Sequence, residues 1–342
     1  MKILGIESSC DDTSISIIDN KKNIIANETI SQNKIHKNYK GVVPELAARN
    51  HVLFIDKILN SILEKQQLRI TDIGLIAATV GPGLVGGLLV GLTFAKTLSQ
   101  VNAIPFIGVN HLEGHALTVR LTNKVEYPFL LLLVSGGHSN FYFISNINDY
   151  KFLGGTLDDA LGEAFDKVAN ILGLDFPGGP QLELLAMKGE YKKVRLPKPL
   201  INVKNLNMSF SGLKTAALNY KNEIDKNNIS RSDLAASFQK SVADVLCKKI
   251  SLAIDISNKE FSNFKNVVVS GGVAANNYLR EKIINTVKIN DKLVFFPPNN
   301  LCTDNGAMVA WAGYELYRAG VRSKLNIKAK PRWPLESIGA RV

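Results

Sequence analysis

Two histidines four residues apart, in His111-Leu112-Glu113-Gly114-His115, form the first pair in this chain whose types and spacing could do chemistry. At i and i+4 they share one helical face, the spacing at which two imidazoles hold a single metal ion. The chain has only five histidines, so the pair is informative, although two surface histidines would be spaced the same way. A zinc protease needs Glu directly after the first histidine. Here Leu112 occupies that place and Glu113 points off the shared face, which disfavours that hydrolytic chemistry. A carboxylate that could complete a metal site is Asp304, in Cys302-Thr303-Asp304-Asn305-Gly306, but sequence position alone does not bring it to the histidines. Adjacent Asp11 and Asp12 repel each other unless a cation or an amine lies between them, so they are candidates for orienting a reacting amine. Asp159, Glu163 and Asp166 fall at i, i+4 and i+7 on one helical face. A solvated face accounts for Asp159, and less well for Glu163-Ala164-Phe165-Asp166-Lys167.

Glycine turns recur beside these groups: Gly81-Pro82-Gly83, Ser135-Gly136-Gly137, Gly178-Gly179-Pro180 and Ser270-Gly271-Gly272. Any one of them could simply close a tight turn. Four in one chain point to backbone amides arranged for a phosphate. Residues 86 to 93 imitate a phosphate-binding loop, but Leu92 stands where the lysine must be, so this is not a P-loop. Basic residues gather at Lys192, Lys193, Arg195 and Lys198, and at Arg318, Arg322, Lys324, Lys328, Lys330 and Arg332. Such groups neutralise phosphates, and they also look like ordinary solvated surface. Trp333 beside Arg332 reads as packed rather than as a platform for a base.

The elements that must hold these residues are α/β. Residues 3 to 6 and 14 to 18 read as strands flanking a polar turn. Residues 129 to 134 and 141 to 144 repeat the pattern around Ser135-Gly136-Gly137-His138-Ser139-Asn140, and 267 to 277 repeat part of it. Two lobes are expected, the first at 1–108 plus 306–342 and the second at 109–305 carrying the metal and nucleotide motifs. The stretch from Ile73 to Ala95 has no charged residue and is long enough to span a bilayer. Gly81-Pro82-Gly83 breaks it, giving a strand, a glycine loop and a helix instead. The asparagine- and lysine-rich stretch from Lys221 to Asn228 reads as a solvated loop.

With 342 residues, 46% of them apolar, the chain can bury a large core, which excludes disorder and fibrous repeats. Its net charge of +11 favours a polyanionic partner such as nucleic acid. The three cysteines, Cys10, Cys247 and Cys302, are odd in number and far apart, and the apolar run before Glu7 is too short for a signal peptide. Both features fit a reducing cytoplasm and no membrane.

Taken in order, Glu7-Ser8-Ser9-Cys10-Asp11-Asp12-Thr13, Gly81 to Leu84, His111 to His115, Leu133 to His138 and Gly162 to Lys167 resemble the bacterial tRNA N(6)-adenosine threonylcarbamoyltransferase family. Pro177 to Pro180, Ser209 to Lys214, Gly271 to Asn276, Cys302 to Met308 and Pro331 to Pro334 extend the resemblance over the whole chain. The resemblance implies an actin-like (ribonuclease H-like, duplicated) two-lobed fold with a nucleotide and metal cleft between the lobes. It implies transfer of a threonylcarbamoyl group from threonylcarbamoyl-adenylate to the exocyclic amine of the adenosine 3′ of the anticodon, with release of AMP. By residue matching, the metal, iron or zinc, falls to His111, His115 and Asp304. The adenylate falls to Leu133, Val134, Ser135, Gly136, Gly137, Asp166, Gly179 and Asn276, and catalytic duty to Asp11 and Asp12. Asp12 stands where the family carries Glu, Ser8 where it carries Thr, and Glu183 where many relatives carry Asp. Implied partners are tRNA, a shorter actin-like paralogous subunit and a small P-loop ATPase. An ATP-dependent phosphotransferase of the same fold is the alternative reading, with the glycine turns and Asp11 serving ATP.

Overall fold

A computed structural model describes residues 1–340, apart from 37, 38, 40, 222, 225–228, 262 and 263. In chain order the elements are β1 (Lys2–Glu7), β2 (Asp12–Asp19), β3 (Ile24–Ser31), α1 (Asn33–His36), α2 (Pro44–Lys65), β4 (Ile73–Gly81), α3 (Val85–Asn102), β5 (Phe106–Asn110) and α4 (His111–Thr122). They continue with β6 (Phe129–Val134), β7 (Ser139–Asn146), β8 (Asp149–Gly155), α5 (Leu161–Ile171), α6 (Gly178–Ala186), α7 (Ser211–Lys221), α8 (Arg231–Glu260), β9 (Asn266–Ser270), α9 (Asn277–Ile289), β10 (Leu293–Phe295) and α10 (Gly306–Arg318).

Contacts divide the chain into two units. The first is Met1–Lys124, Asn146–Tyr150 and Thr303–Val342; the second is Val125–Ser145 and Lys151–Cys302. The first unit therefore extends beyond residue 108, where the sequence reading set the boundary, and it takes α4 and both histidines with it. The cause is local: α4 follows β5 without a linker and lies against α10, whose Met308 side chain sits 3.3 Å from where a Cβ on Gly114 would be. A Cβ at 114 would require the Met308 side chain to give by a few tenths of an ångström.

The sheet of the first unit runs β3-β2-β1-β4-β5, with β1 antiparallel to β2 and parallel to β4, and β4 parallel to β5. That of the second runs β10-β9-β6-β7-β8, with β6 antiparallel to β7 and parallel to β9, and β9 parallel to β10. The two orders are one pattern used twice, and each contains the strand, turn and strand unit that repeats in the sequence. The central strands are apolar because they are covered on both faces: all six residues of β6 are buried. The uncharged stretch from Ile73 becomes β4, a glycine turn and α3. Only one face of α3 is buried, through Leu88, Leu92 and Ala95, while Val85 and Leu89 are exposed. No helix among the described residues is long and apolar enough to cross a membrane.

The chain returns to the first unit through α10, which closes over β1. A Cβ on Gly5 would lie 2.1 Å from the Gly306 carbonyl oxygen, so the helix start touches the strand backbone directly. The Gly306 amide donates to Ser14 Oγ at 2.9 Å, and the Asn305 side chain caps the helix by accepting from the Met308 amide. Lys221 closes α7 rather than opening a loop, and Glu223 and Ile224 form a turn. Residues 222 and 225–228 of that expected loop lie outside the described residues.

Candidate functional site

In the first unit, the end of β5 and the start of α4 place His111 and His115. Asn110 ends the strand and caps the helix, its side-chain oxygen accepting from the Leu112 amide at 2.8 Å. Both rings are buried on one face with centroids 4.8 Å apart, as the i, i+4 spacing predicts. Asp304 arrives immediately before the α10 cap. Its Oδ1 lies 3.0 Å from His115 Nε2 and 3.5 Å from His111 Nε2, and one donor atom from each of the three residues falls within 4.8 Å of the others. Two imidazole nitrogens and a carboxylate oxygen converging from two rigid helix starts form a set that could hold a metal ion. The set suits zinc and ferrous iron alike, and three protein donors leave positions for a substrate.

Behind His111 stands a residue to which the sequence reading gave no role. Glu7, at the end of β1, is fully buried and its carboxylate accepts from the Ser9 amide at 2.6 Å and from Thr79 Oγ1 at 2.6 Å. Its Oε2 also lies 3.0 Å from His111 Nδ1, and Ser9 Oγ is 3.0 Å from the same nitrogen. A carboxylate on Nδ1 holds a proton there and leaves Nε2 as the nitrogen that faces Asp304. Burial pulls His111 toward neutrality, but Asp304 and Glu7 outweigh it and push its pKa up to about 9. Burial likewise opposes ionisation of Glu7, yet the neighbouring His111 charge and hydrogen bond hold that carboxyl below its ordinary value. The sequence signal was a lone acid ending a strand that is uncharged from Ile3 to Ile6.

Asp11 sits in the turn between β1 and β2, and Asp12 is the first residue of β2. The pKa of Asp12 is pushed up to about 7, by burial first and then by Asp304 and Asp11. His51 of α2 braces this turn, with Nδ1 2.7 Å from Thr13 Oγ1 and Nε2 3.0 Å from the Cys10 carbonyl. Because Nε2 faces an acceptor, it carries the proton, and Thr13 donates to Nδ1. Burial keeps His51 below its usual pKa.

In the second unit, the expected nucleotide residues gather at the carboxyl ends of the parallel strands β6 and β9, where α/β sheets bind ligands. A Cβ on Gly271 would lie 2.3 Å from the Val134 carbonyl, and the Gly162 amide at the start of α5 donates to the Ser135 carbonyl at 3.1 Å. A Cβ on Gly136, Gly137 or Gly179 would meet nothing within 4 Å, so these backbones are open to a ligand. Leu133 and Val134 are different: their side chains are buried, and only their main chain could line a site. Asp166 accepts from the Gly178 amide at 2.7 Å and so fixes the start of α6. Asn276 caps α9 by accepting from the Leu279 amide and donates to Gln239 Oε1 at 2.9 Å. Glu183 accepts from the Asn277 amide at 2.7 Å, binding the same helix start rather than standing open for a ribose. Asp159 and Glu163 both pair with Lys167 at 2.7 Å, a surface network. Asp158 caps α7 through the amides of Phe210 and Ser211.

A family model described as TsaD, tRNA N6-adenosine threonylcarbamoyltransferase, matches residues 23–311. A protein of Rickettsia bellii (strain OSU 85-389) named tRNA N6-adenosine threonylcarbamoyltransferase is 51% identical over 339 residues, covering 98% of this chain and 99% of its own. One of the same name from Rickettsia rickettsii (strain Sheila Smith) is 50% identical over 344 residues, covering 99% of each. The chain belongs to this family. Within the threonylcarbamoyltransferase frame, the actin-like fold has solved parallels of low identity. HypF of T. kodakarensis superposes with a TM-score of 0.61 at 17% identity, over 93% of this chain and 48% of that one. The (R)-2-hydroxyglutaryl-CoA dehydratase component A of Acidaminococcus fermentans gives 0.55 at 17%, over 94% of this chain and 100% of that one. These likenesses concern the fold alone.

Proposed function

We propose that this chain is a transferase that modifies tRNA, moving a threonylcarbamoyl group from threonylcarbamoyl-adenylate to the exocyclic amine of the adenosine 3′ of the anticodon. The amine nitrogen bonds to the carbamoyl carbon, the anhydride C–O bond breaks, AMP departs, and the amine gives up a proton. The observation that carries the reading is identity of about half the residues over essentially the whole length of relatives named for this reaction, with His111, His115 and Asp304 converging in this chain.

The adenylate already has a good leaving group, so the protein's task is to position the reactants and stabilise charge. The open backbones at Gly136, Gly137 and Gly179 suit approach to the leaving phosphate. Leu133 and Val134 contribute main chain only, and Asp166 and Asn276 act by fixing the helix starts around the nucleotide. Asp11 and Asp12 hold and orient the attacking amine. A divalent metal, iron first and zinc second, belongs to His111, His115 and Asp304; when bound it supplies positive charge that polarises an oxygen of the substrate. Glu7 keeps His111 in the tautomer that can ligate. The reading includes a shorter actin-like paralogue and a small P-loop ATPase as partner subunits, and a cytoplasmic site of action.

The test combines this protein, those subunits, preformed threonylcarbamoyl-adenylate and unmodified tRNA, with the nucleosides identified by mass spectrometry. Threonylcarbamoyl-adenosine should form, and should be absent with His111→Ala/His115→Ala. If none forms with folded, metal-loaded protein, the reading is wrong, and rapid ATP hydrolysis without tRNA would move the assignment to a phosphotransferase.

A further inference from the structure

Two basic clusters stand out in the sequence, and the structure separates them. In the first, Lys193 lies 3.6 Å from Asp233 and Lys198 pairs with Asp244 at 2.7 Å, so its charge is partly neutralised within the fold. The second is unneutralised. Residues 318 to 332 carry six basic and no acidic side chains, a net +6 out of +11 for the whole chain. Arg318, Arg322, Lys324, Lys328, Lys330 and Arg332 are all exposed, and among the described residues no carboxylate pairs with any of them.

From Val321 to Lys330 exposure alternates strictly. Ser323, Leu325, Ile327 and Ala329 face inward, and the even positions face out, all of them cationic except Asn326. The inward side is pinned to the first unit. Ser323 Oγ accepts from the Gly108 amide at 3.0 Å, Lys96 Nζ donates to the Ile327 carbonyl, and the Lys330 amide donates to the Val80 carbonyl at 2.8 Å. The Gly83 amide donates to the Pro331 carbonyl at 3.1 Å. The Trp333 carbonyl accepts from Asn110 Nδ2 at 2.9 Å, and Asn110 is the cap of α4, the helix that carries both histidines. Two of the cations are also held in place: the Arg322 guanidinium lies 4.0 Å from the Tyr317 ring centroid and Lys330 Nζ 4.4 Å from that of Trp333. Such a ridge is a fixed row of positive charge, and fixing it in the folded chain lowers the ordering cost of binding a polyanion.

We propose that this C-terminal ridge docks the phosphate backbone of the RNA substrate and sets its register against the helix bearing His111 and His115. The proposal rests on the transferase reading for the identity of that RNA. Phosphates rather than bases are the match, because the outward positions are cationic and the one tryptophan of the segment is buried. The same burial leaves the ridge without an apolar anchor for a membrane.

The test compares wild type with Arg322→Gln/Lys324→Gln/Lys328→Gln/Lys330→Gln for binding of an unmodified tRNA transcript across a salt series. Thermal melting and cobalt binding are measured on both to check fold and site. Four lost phosphate contacts should flatten the slope of log affinity against log salt by about 3 and weaken binding by tenfold or more at about 0.1 M salt. In the transfer assay KM for tRNA should rise while kcat holds, and replacing Arg322 by Lys should preserve most of the affinity. Equal slopes and affinities for the two proteins overturn the ridge proposal, and the transferase reading survives if both proteins still modify tRNA. Binding of anionic phosphatidylserine vesicles that depends on the four residues, with tRNA binding unchanged, also overturns it. A wild type that neither binds nor modifies tRNA overturns both.

Discussion

Replacing Glu7 by Gln probes the wiring behind the candidate metal ligands with almost no change in volume. The carboxylate is buried and serves three groups: the Ser9 amide, Thr79 Oγ1 and His111 Nδ1. An amide has one acceptor oxygen. If that oxygen stays on the Ser9 amide, the NH₂ faces Thr79 and His111. The threonine hydroxyl can turn and accept, but the imidazole can accept only by giving up the Nδ1 proton. The proton then moves to Nε2, the atom 3.5 Å from Asp304, where it blocks ligation. Loss of an outer carboxylate of this kind costs about 10- to 100-fold in metal affinity, or ~1.4–2.8 kcal/mol at 1.4 kcal/mol per factor of ten. The assay is titration of metal-free protein with Co²⁺, followed by its visible absorption against a competing chelator. Ser9→Ala is the comparison, since Ser9 Oγ lies equally close to Nδ1 but carries no charge; it should cost less than about tenfold. A Glu7→Gln protein that melts like wild type and binds Co²⁺ within about twofold of it would refute the tautomer argument.

Further outcomes follow from other contacts. Asp304→Ala removes the carboxylate on which both histidines converge, and metal content by elemental analysis should fall to background while the fold persists. Gly5→Ala drives a Cβ to 2.1 Å from the Gly306 carbonyl and 2.6 Å from the Ala310 amide, both backbone atoms that cannot yield; it should cost about 1–3 kcal/mol or more in denaturant melts. Asn110→Ala strips the cap of α4, and about 1 kcal/mol of stability should go with it. Burial acts to raise the pKa of Asp158, but hydrogen bonds from Ser209, Phe210 and Ser211 outweigh it and hold the carboxyl below its ordinary value. Its contribution is therefore present above the unfolded pKa of about 3.9 and lost as pH falls through the lower folded value. Asp158→Asn should thus melt earlier than wild type at pH 6, with the difference closing below about pH 4.

The histidine pair was legible because a helix converts a spacing of four into a shared face, a rule internal to one element. Asp304 was legible as a candidate and no more, since its approach depends on α10 lying against β1 and α4, a tertiary event. Glu7 stayed hidden for the opposite reason: strand period and burial describe it fully as the last residue of β1, and only the register of β1 beside β4 and the position of β5 set it between Thr79 and His111. Leu133 and Val134 were matched by motif, yet an all-apolar central strand must bury its side chains. The strand repeat predicted two lobes that each begin with a strand, a turn and a strand, and that legibility came from apolar runs flanked by polar turns. The boundary at 108 did not hold for α4 because a helix with no linker after its strand stays with the sheet it leaves.

The closure of the first unit by α10 also constrains when the protein becomes itself. His115 and its partner Asp304 are separated by 189 positions in the chain, and β1 meets the Gly306 backbone, which is made far later. A ribosome must therefore pass residue 304 before the three donors exist together. Chains that stop before residue 304 lack that carboxylate, so the complete three-donor set forms only once synthesis has passed that point.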